Sequence, residues 1–226
     1  MRTLRSALAV TAKDVRLELR GKESFSLMFF LSFLLLVIFN FALDPEPGQV
    51  GALAPGILWV IFAFSGILGM GRTSMAERDE EAYLSVVFSP APGESLFLGK
   101  AMSNFVFLLA VEVFTMVSFA VLFDFERAVL ALPALLPSLV LGTAGFALVG
   151  TLFSFLTASS RYGEVLLPFL FLPVAVPVVL GGVASMGAVL EGRPLSETWR
   201  WAQMLAVFDV LYLGVSLLLF RHVIEE

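Results

Sequence analysis

Apolar and polar residues in this chain come in blocks. Residues 24–43, 54–71, 101–123, 132–157, 165–190 and 201–220 are long apolar runs, and most of what separates them is short and polar. About 20 apolar residues at ~1.5 Å each suffice to carry a helix across the ~30 Å hydrocarbon layer. In lipid every backbone amide must bond within its own segment, which favours helices for such runs. The pattern predicts an all-α polytopic membrane protein with six transmembrane helices.

Two stretches break the pattern. At the front, residues 1–22 place Leu4, Leu8, Thr11, Val15 and Leu19 close to one helical face and Arg5, Lys13, Arg16 and Arg20 around the others. That arrangement predicts an amphipathic interfacial helix, its basic side against anionic headgroups. A cleaved signal peptide fits less well: the basic region is long, and Phe41-Ala42-Leu43 is a poor small-x-small cleavage site. In the middle, residues 72–100 form the longest polar interruption. Glu77, Arg78, Asp79, Glu80 and Glu81 open it. Tyr83 and Val87, then Leu84 and Phe88, follow at i, i+4, which makes an apolar stripe on a short helix that Pro90 ends. So long a segment reads as a docking element for something in the aqueous phase. The plainer alternative is a solvated connector lying on the headgroups.

Within the spans, Gly66, Gly69, Gly71, Gly142, Gly145 and Gly150 thin the helix surfaces for close approach. Pro168, Pro173 and Pro177 predict a kinked or broken fifth span. A small interfacial helix is expected around residues 196–199. Trp59, Trp199 and Trp201 suit interfacial anchoring, most clearly the last two.

Composition agrees with the block pattern. The chain has 226 residues, 59% hydrophobic and only 15% charged, with a mean hydropathy of +0.95. No polar stretch is long enough for a separate soluble domain, so residues 1–226 read as one membrane domain. The absence of cysteine removes disulfides, thiolate metal sites and cysteine catalysis. Charge sets the orientation. With the N-terminus inside, only Arg127, Arg193 and Arg200 of the 14 basic residues fall outside. Both termini and the 72–100 segment are therefore expected in the cytoplasm.

Chemistry is sparse. Glu112 and Asp209 lie near the middle of the third and sixth spans, where an acidic residue costs about 2.5–3.5 kcal/mol on insertion scales. No Lys or Arg shares their depth. They are expected to be protonated, hydrogen-bonded or facing a wet cavity, with Thr115 and Tyr212, each three residues on, as local partners. A role in a substrate pathway or in conformational coupling stands beside a purely structural helix–helix hydrogen bond. The lone histidine, His222, sits at the end of a helix, where a favourable charge is its ordinary role. Gly93…Gly99-Lys100 is not a phosphate loop: the spacing is one residue too long and Ala101 stands where Ser or Thr is needed. Gly69-Met70-Gly71 lacks the strand and third glycine of a dinucleotide site. Energy for powered work must come from another subunit. No metal site and no nucleic-acid surface is indicated.

Glu77-Arg78-Asp79-Glu80-Glu81-Ala82-Tyr83-Leu84…Phe88-Ser89-Pro90, followed by Phe97-Leu98-Gly99-Lys100, resembles the cytoplasmic coupling segment of ABC-2-type permeases. Within that superfamily the chain is most similar to the haem exporter protein B family, CcmB. Supporting stretches are Lys13-Asp14-Val15-Arg16 before the first span, Leu141-Gly142-Thr143, Glu164-Val165-Leu166-Leu167-Pro168, and Phe208-Asp209-Val210-Leu211. It departs from the family pattern at Glu81, where glycine is commoner, and at Tyr83-Leu84-Ser85.

The resemblance implies a non-catalytic permease subunit of the bacterial inner membrane, paired with a separate CcmA-like ATPase. It implies further partners of the CcmC and CcmD type in cytochrome c maturation, where haem is attached to a chaperone and released using ATP. Glu77, Arg78, Asp79 and Glu80 would then orient docking on the ATPase, with Tyr83, Leu84, Val87 and Phe88 as its anchor and Pro90 as the abrupt end. Two ATPase sites and six spans imply two copies of the chain. Haem is the candidate cargo, and no directly bound cofactor is expected, since the spans offer no His, Cys or Tyr pair to ligate its iron. A general ABC-2 exporter of a lipid or drug, and a non-transporting scaffold that passes ATPase motion to a haem-handling partner, are the other readings.

Overall fold

A computed structural model describes residues 2–21, 23–46, 48–76, 93–158, 160 and 162–223. Its helices are α1 (Arg2–Gly21), α2 (Glu23–Leu43), α3 (Val50–Ala76), α4 (Gly93–Leu122), α5 (Arg127–Leu130), α6 (Leu132–Ala158), α7 (Gly163–Leu190) and α8 (Leu195–Val223). Among the described residues there is no strand. α2, α3, α4, α6, α7 and α8 are long and apolar enough to cross a membrane. The chain is a multi-pass membrane protein.

Helix continuity differs from the sequence expectation in four places. The third span and the amphipathic piece before it form one helix of 30 residues, α4, about 45 Å long at ~1.5 Å per residue. α3 runs on to Ala76, past the expected end of the second span at residue 71. α7 passes unbroken through Pro168, Pro173 and Pro177. Each proline forfeits only its own amide bond, and packing against α3, α6 and α8 holds the rest of the helix. The separate helix expected at 196–199 is instead the first turn of α8. Its apolar run continues without a helix breaker.

The core lies where α3, α6 and α7 meet. Trp59 is fully buried there, which corrects its reading as an interfacial anchor. Its indole fills the space above two glycines: a Cβ on Gly142 or Gly182 would fall within 2.3 Å or 1.9 Å of the ring. The ring also neighbours Phe62 and Phe146, and Phe146 stacks on Phe171 at 5.3 Å. Lipid tails are as apolar as leucine, so helices associate in a bilayer through fit of this kind and not through water exclusion. α2 turns Met28, Ser32 and Leu36 inward at i, i+4, i+8 and leaves Phe30, Phe33 and Phe41 exposed. α8 leaves Val207, Val210, Leu211 and Leu218 exposed. In a spanning helix these faces are suited to lipid.

Outside the spans, Asp44 and Asp124 adopt φ of 37° and 49° in the turns after α2 and α4. In the α7–α8 turn, Arg193 is hydrogen-bonded to Glu191 at 2.7 Å and to Glu197 at 3.4 Å. These two carboxylates, Glu191 first, hold its guanidinium above the ordinary arginine value.

Candidate functional site

α4 and α6 run antiparallel and share a buried polar seam. Asn104 Nδ2 donates to Thr151 Oγ1 at 2.9 Å. Eight residues further along both helices, Thr143 Oγ1 lies 2.6 Å from Glu112 Oε2. The two rungs keep one register and stand about 12 Å apart along the helices. Glu112 and Thr143 are essentially inaccessible. Thr143 Oγ1 is also 2.6 Å from the Leu139 carbonyl. Thr143 thus directs its hydroxyl at both the Glu112 carboxyl and the Leu139 carbonyl. This corrects the expected pairing with Thr115, whose hydroxyl instead donates to the Val111 carbonyl of its own helix.

Asp209 approaches α6 from the other side. Its Oδ1 sits 2.8 Å from where a Cβ on Gly145 would stand, with Val178 of α7 also against that position. Among the described residues neither carboxylate oxygen has a hydrogen-bond partner, and both are shielded. Tyr212, expected to bond it, stacks on Phe208 with centroids 4.4 Å apart. Thr143 and Gly145 are two positions apart, which on a helix is about 3 Å of rise and about 200° of rotation. The two intramembrane carboxyls therefore address one level of α6 from opposite flanks. One is hydrogen-bonded; the other is half-buried, with shielded carboxylate oxygens that have no partner among the described residues, a costly condition for a polar group. Such a pair can hold, exchange or lose a proton, or accept a donor brought by another molecule.

At the α1 end of α4, Lys100 Nζ is 3.0 Å from Asp14 Oδ2, both side chains under a tenth exposed. A cleft of about 10 Å³ between α1, α2, α3 and α4, lined by Glu18, Phe25, Met28 and Asn104 among others, has room for about one water. Among the described residues no group of three His, Asp or Glu side chains is placed to hold a metal ion.

The docking residues Glu77, Arg78, Asp79, Glu80, Tyr83, Leu84, Val87, Phe88 and Pro90 lie outside the described residues. Glu112 and Asp209 are brought to the same helix. Sequence reasoning named Gly145 only as a site of close helix approach and missed the roles of Thr143, Asn104, Thr151 and the Asp14–Lys100 pair. Glycines opposite the intramembrane acids were the one available signal, because a small residue is needed wherever a side chain from another helix presses in.

A match to the CcmB protein family covers residues 5–225. The chain is 29% identical over 192 residues to heme exporter protein B of Pseudomonas aeruginosa, covering 84% of each chain. It is 28% identical over 191 residues to the protein of that name from Bradyrhizobium diazoefficiens, covering 83% of each. With heme exporter protein B of Escherichia coli it shares 26% identity over 215 residues, 90% of each chain. With six spans and the family match both running nearly the length of the chain, the protein belongs to the CcmB family.

Proposed function

We propose that this chain is the membrane permease subunit of a haem export system serving cytochrome c maturation. The observation that carries it is the family match over residues 5–225, which takes in every span. The relatives named heme exporter protein B match it over most of their length. The subunit is non-catalytic and is driven by a separate CcmA-like ATPase, with CcmC- and CcmD-like membrane proteins in the same complex. Two copies of the chain serve two ATPase subunits. Haem is cargo in this reading, ATP binds only the partner, and the chain holds no cofactor of its own.

The ATPase docks on residues 77–90. Tyr83, Leu84, Val87 and Phe88 supply the apolar anchor, the charges of Glu77, Arg78, Asp79 and Glu80 set register, and Pro90 stops the helix. Small interfaces concentrate binding energy in buried aromatic residues, each worth about 2 kcal/mol or more on truncation. In a strain lacking its own copy, the wild-type gene should restore c-type cytochromes and the purified chain should bring an ATPase with it. Tyr83→Ala with Phe88→Ala should leave the protein inserted but weaken ATPase retention about thirtyfold or more. Failure of the wild-type gene to restore cytochromes points to a lipid or drug exporter; unchanged retention in the double variant makes the segment a solvated connector.

Both termini face the cytoplasm of a bacterial inner membrane. The native chain has no cysteine, so single-cysteine labelling is clean. A cysteine at the exposed Gly48 should react with an impermeant thiol reagent on intact cells. One at Lys13, 60% exposed, should react only after permeabilisation. The reverse pattern would invert the topology.

A further inference from the structure

We infer that Asp14 and Lys100 are positioning residues: a buried ionic clasp that fixes α1 to the cytoplasmic end of α4, so that the two helices move as one body and carry α2 with them. The holding contacts of α1 recur at i, i+4, i+7, i+11 along one face. Ala7 is fully buried against α4. A Cβ on Gly99 would stand 2.6 Å from Val10 Cβ and 2.8 Å from the Ala7 carbonyl, so the backbones nearly touch. Thr11 Oγ1 lies 3.0 Å from the Gly99 carbonyl. Asp14 then meets Lys100 at 3.0 Å, with side chains 9% and 6% exposed. Last, Glu18 Oε1 accepts from the Phe25 amide at 2.7 Å, a carboxylate at the start of α2 where unbonded amides collect.

On the flank beside that face, Leu4 is 60% and Leu19 56% exposed. α1 is thus held by a polar and small-residue face. The clasp differs from an ordinary surface pair. A second lysine, Lys13, reaches Asp14 from solvent at 3.5 Å and is 60% exposed, so a bulk counter-ion for Asp14 needs no burial of Lys100. A buried lysine on α4 supplies direction that a surface charge does not. Removing one member takes away the other's buried counter-charge, whereas exchanging the two preserves the pair. Because Gly93 opens α4 directly after the 77–92 segment, force entering there reaches α1 through Lys100 and leaves for α2 through Glu18.

The functional arm rests on the permease reading; the physical arm does not. In the purified complex, Asp14→Asn and Lys100→Gln should each raise hydrogen exchange in the α1 amides at least tenfold. In cells each should lower the c-type cytochrome formed per ATP hydrolysed at least tenfold. Exchanging the residues, Asp14→Lys with Lys100→Asp, should bring both readings back to within about twofold of wild type. Asp14→Cys with Lys100→Cys should likewise recover both when bridged by a short bifunctional thiol reagent, and not when capped singly. Unchanged exchange in the single variants overturns the clasp. So does an assembled swap or bridged variant that stays as low as the singles. If exchange behaves as described but wild-type protein forms no cytochrome, the clasp stands and the haem-export reading falls.

Discussion

Valine at position 182 should prevent the bundle from assembling. The added Cβ would lie 1.9 Å from the Trp59 ring, and the ring's far edge already rests on Gly142. Overpacking in a core ordinarily costs about 1–3 kcal/mol because neighbours shift. Here the neighbour is an indole held between two helices, with the Phe62 and Phe146 rings beside it. It can leave only by separating α3 from α7. The reciprocal change, Trp59→Ala, opens a void and should cost about 3–5 kcal/mol. Gly187→Ala is the control, since its new methyl meets only Pro55 Cγ at 3.8 Å. Melting of the purified protein in detergent or nanodiscs checks all three. A Gly182→Val protein that melts within a few degrees of wild type would show that the glycine–indole contact does not hold the core.

The second expected result concerns ionisation at mid-membrane. Glu112→Gln keeps a carbonyl oxygen to accept from Thr143, so the seam with α6 should survive and the protein should assemble. Asp209→Asn is nearly isosteric and fits beside Gly145. Assembly is thus expected in both single variants and in the double variant. Transport output is a different matter. Asp209 has no hydrogen-bond partner among the described residues, so a role in the cycle and a purely structural one predict different outcomes, and the former is the expectation. Asp209→Asn should lower c-type cytochrome formation at least tenfold, and the double variant should fall to the level of the empty strain. Cytochrome yield in the complemented strain, normalised to membrane-inserted protein, is the measurement. Full activity of the double amide variant would confine both carboxyls to helix packing.

Much of the architecture was legible because lipid imposes blocks of fixed length, and a block needs no knowledge of its neighbours. The site was legible only as isolated acids. Thr115 was read as the partner of Glu112 because it shares a helix face with it. A threonine within an apolar helix, however, readily returns its proton to the carbonyl four residues back, as Thr115 does to Val111. The true partner, Thr143, lies on another helix, and helix pairing is not written in any local period. Trp59 shows the same limit: a tryptophan near a span end fits the interface or the core equally well. Gly142 and Gly182, far away in the chain, decide between them. The prolines of α7 were over-read, since proline weakens a helix without obliging it to break when neighbours pack around it.

A straight rod of about 45 Å cannot lengthen or shorten usefully; it can only swing. α4 is such a rod, running unbroken from Gly93 to Leu122. A swing of about 5° around its middle shifts each end by about 2 Å on that length. Points near the fulcrum hardly travel. Glu112 and its bond to Thr143 lie inward of the outer end, and the Asn104–Thr151 rung lies on the other side of the midpoint. These two rungs straddle the centre of the rod like the cheeks of an axle. A swing about that centre would move the two rungs least and the ends at Gly93 and Leu122 most.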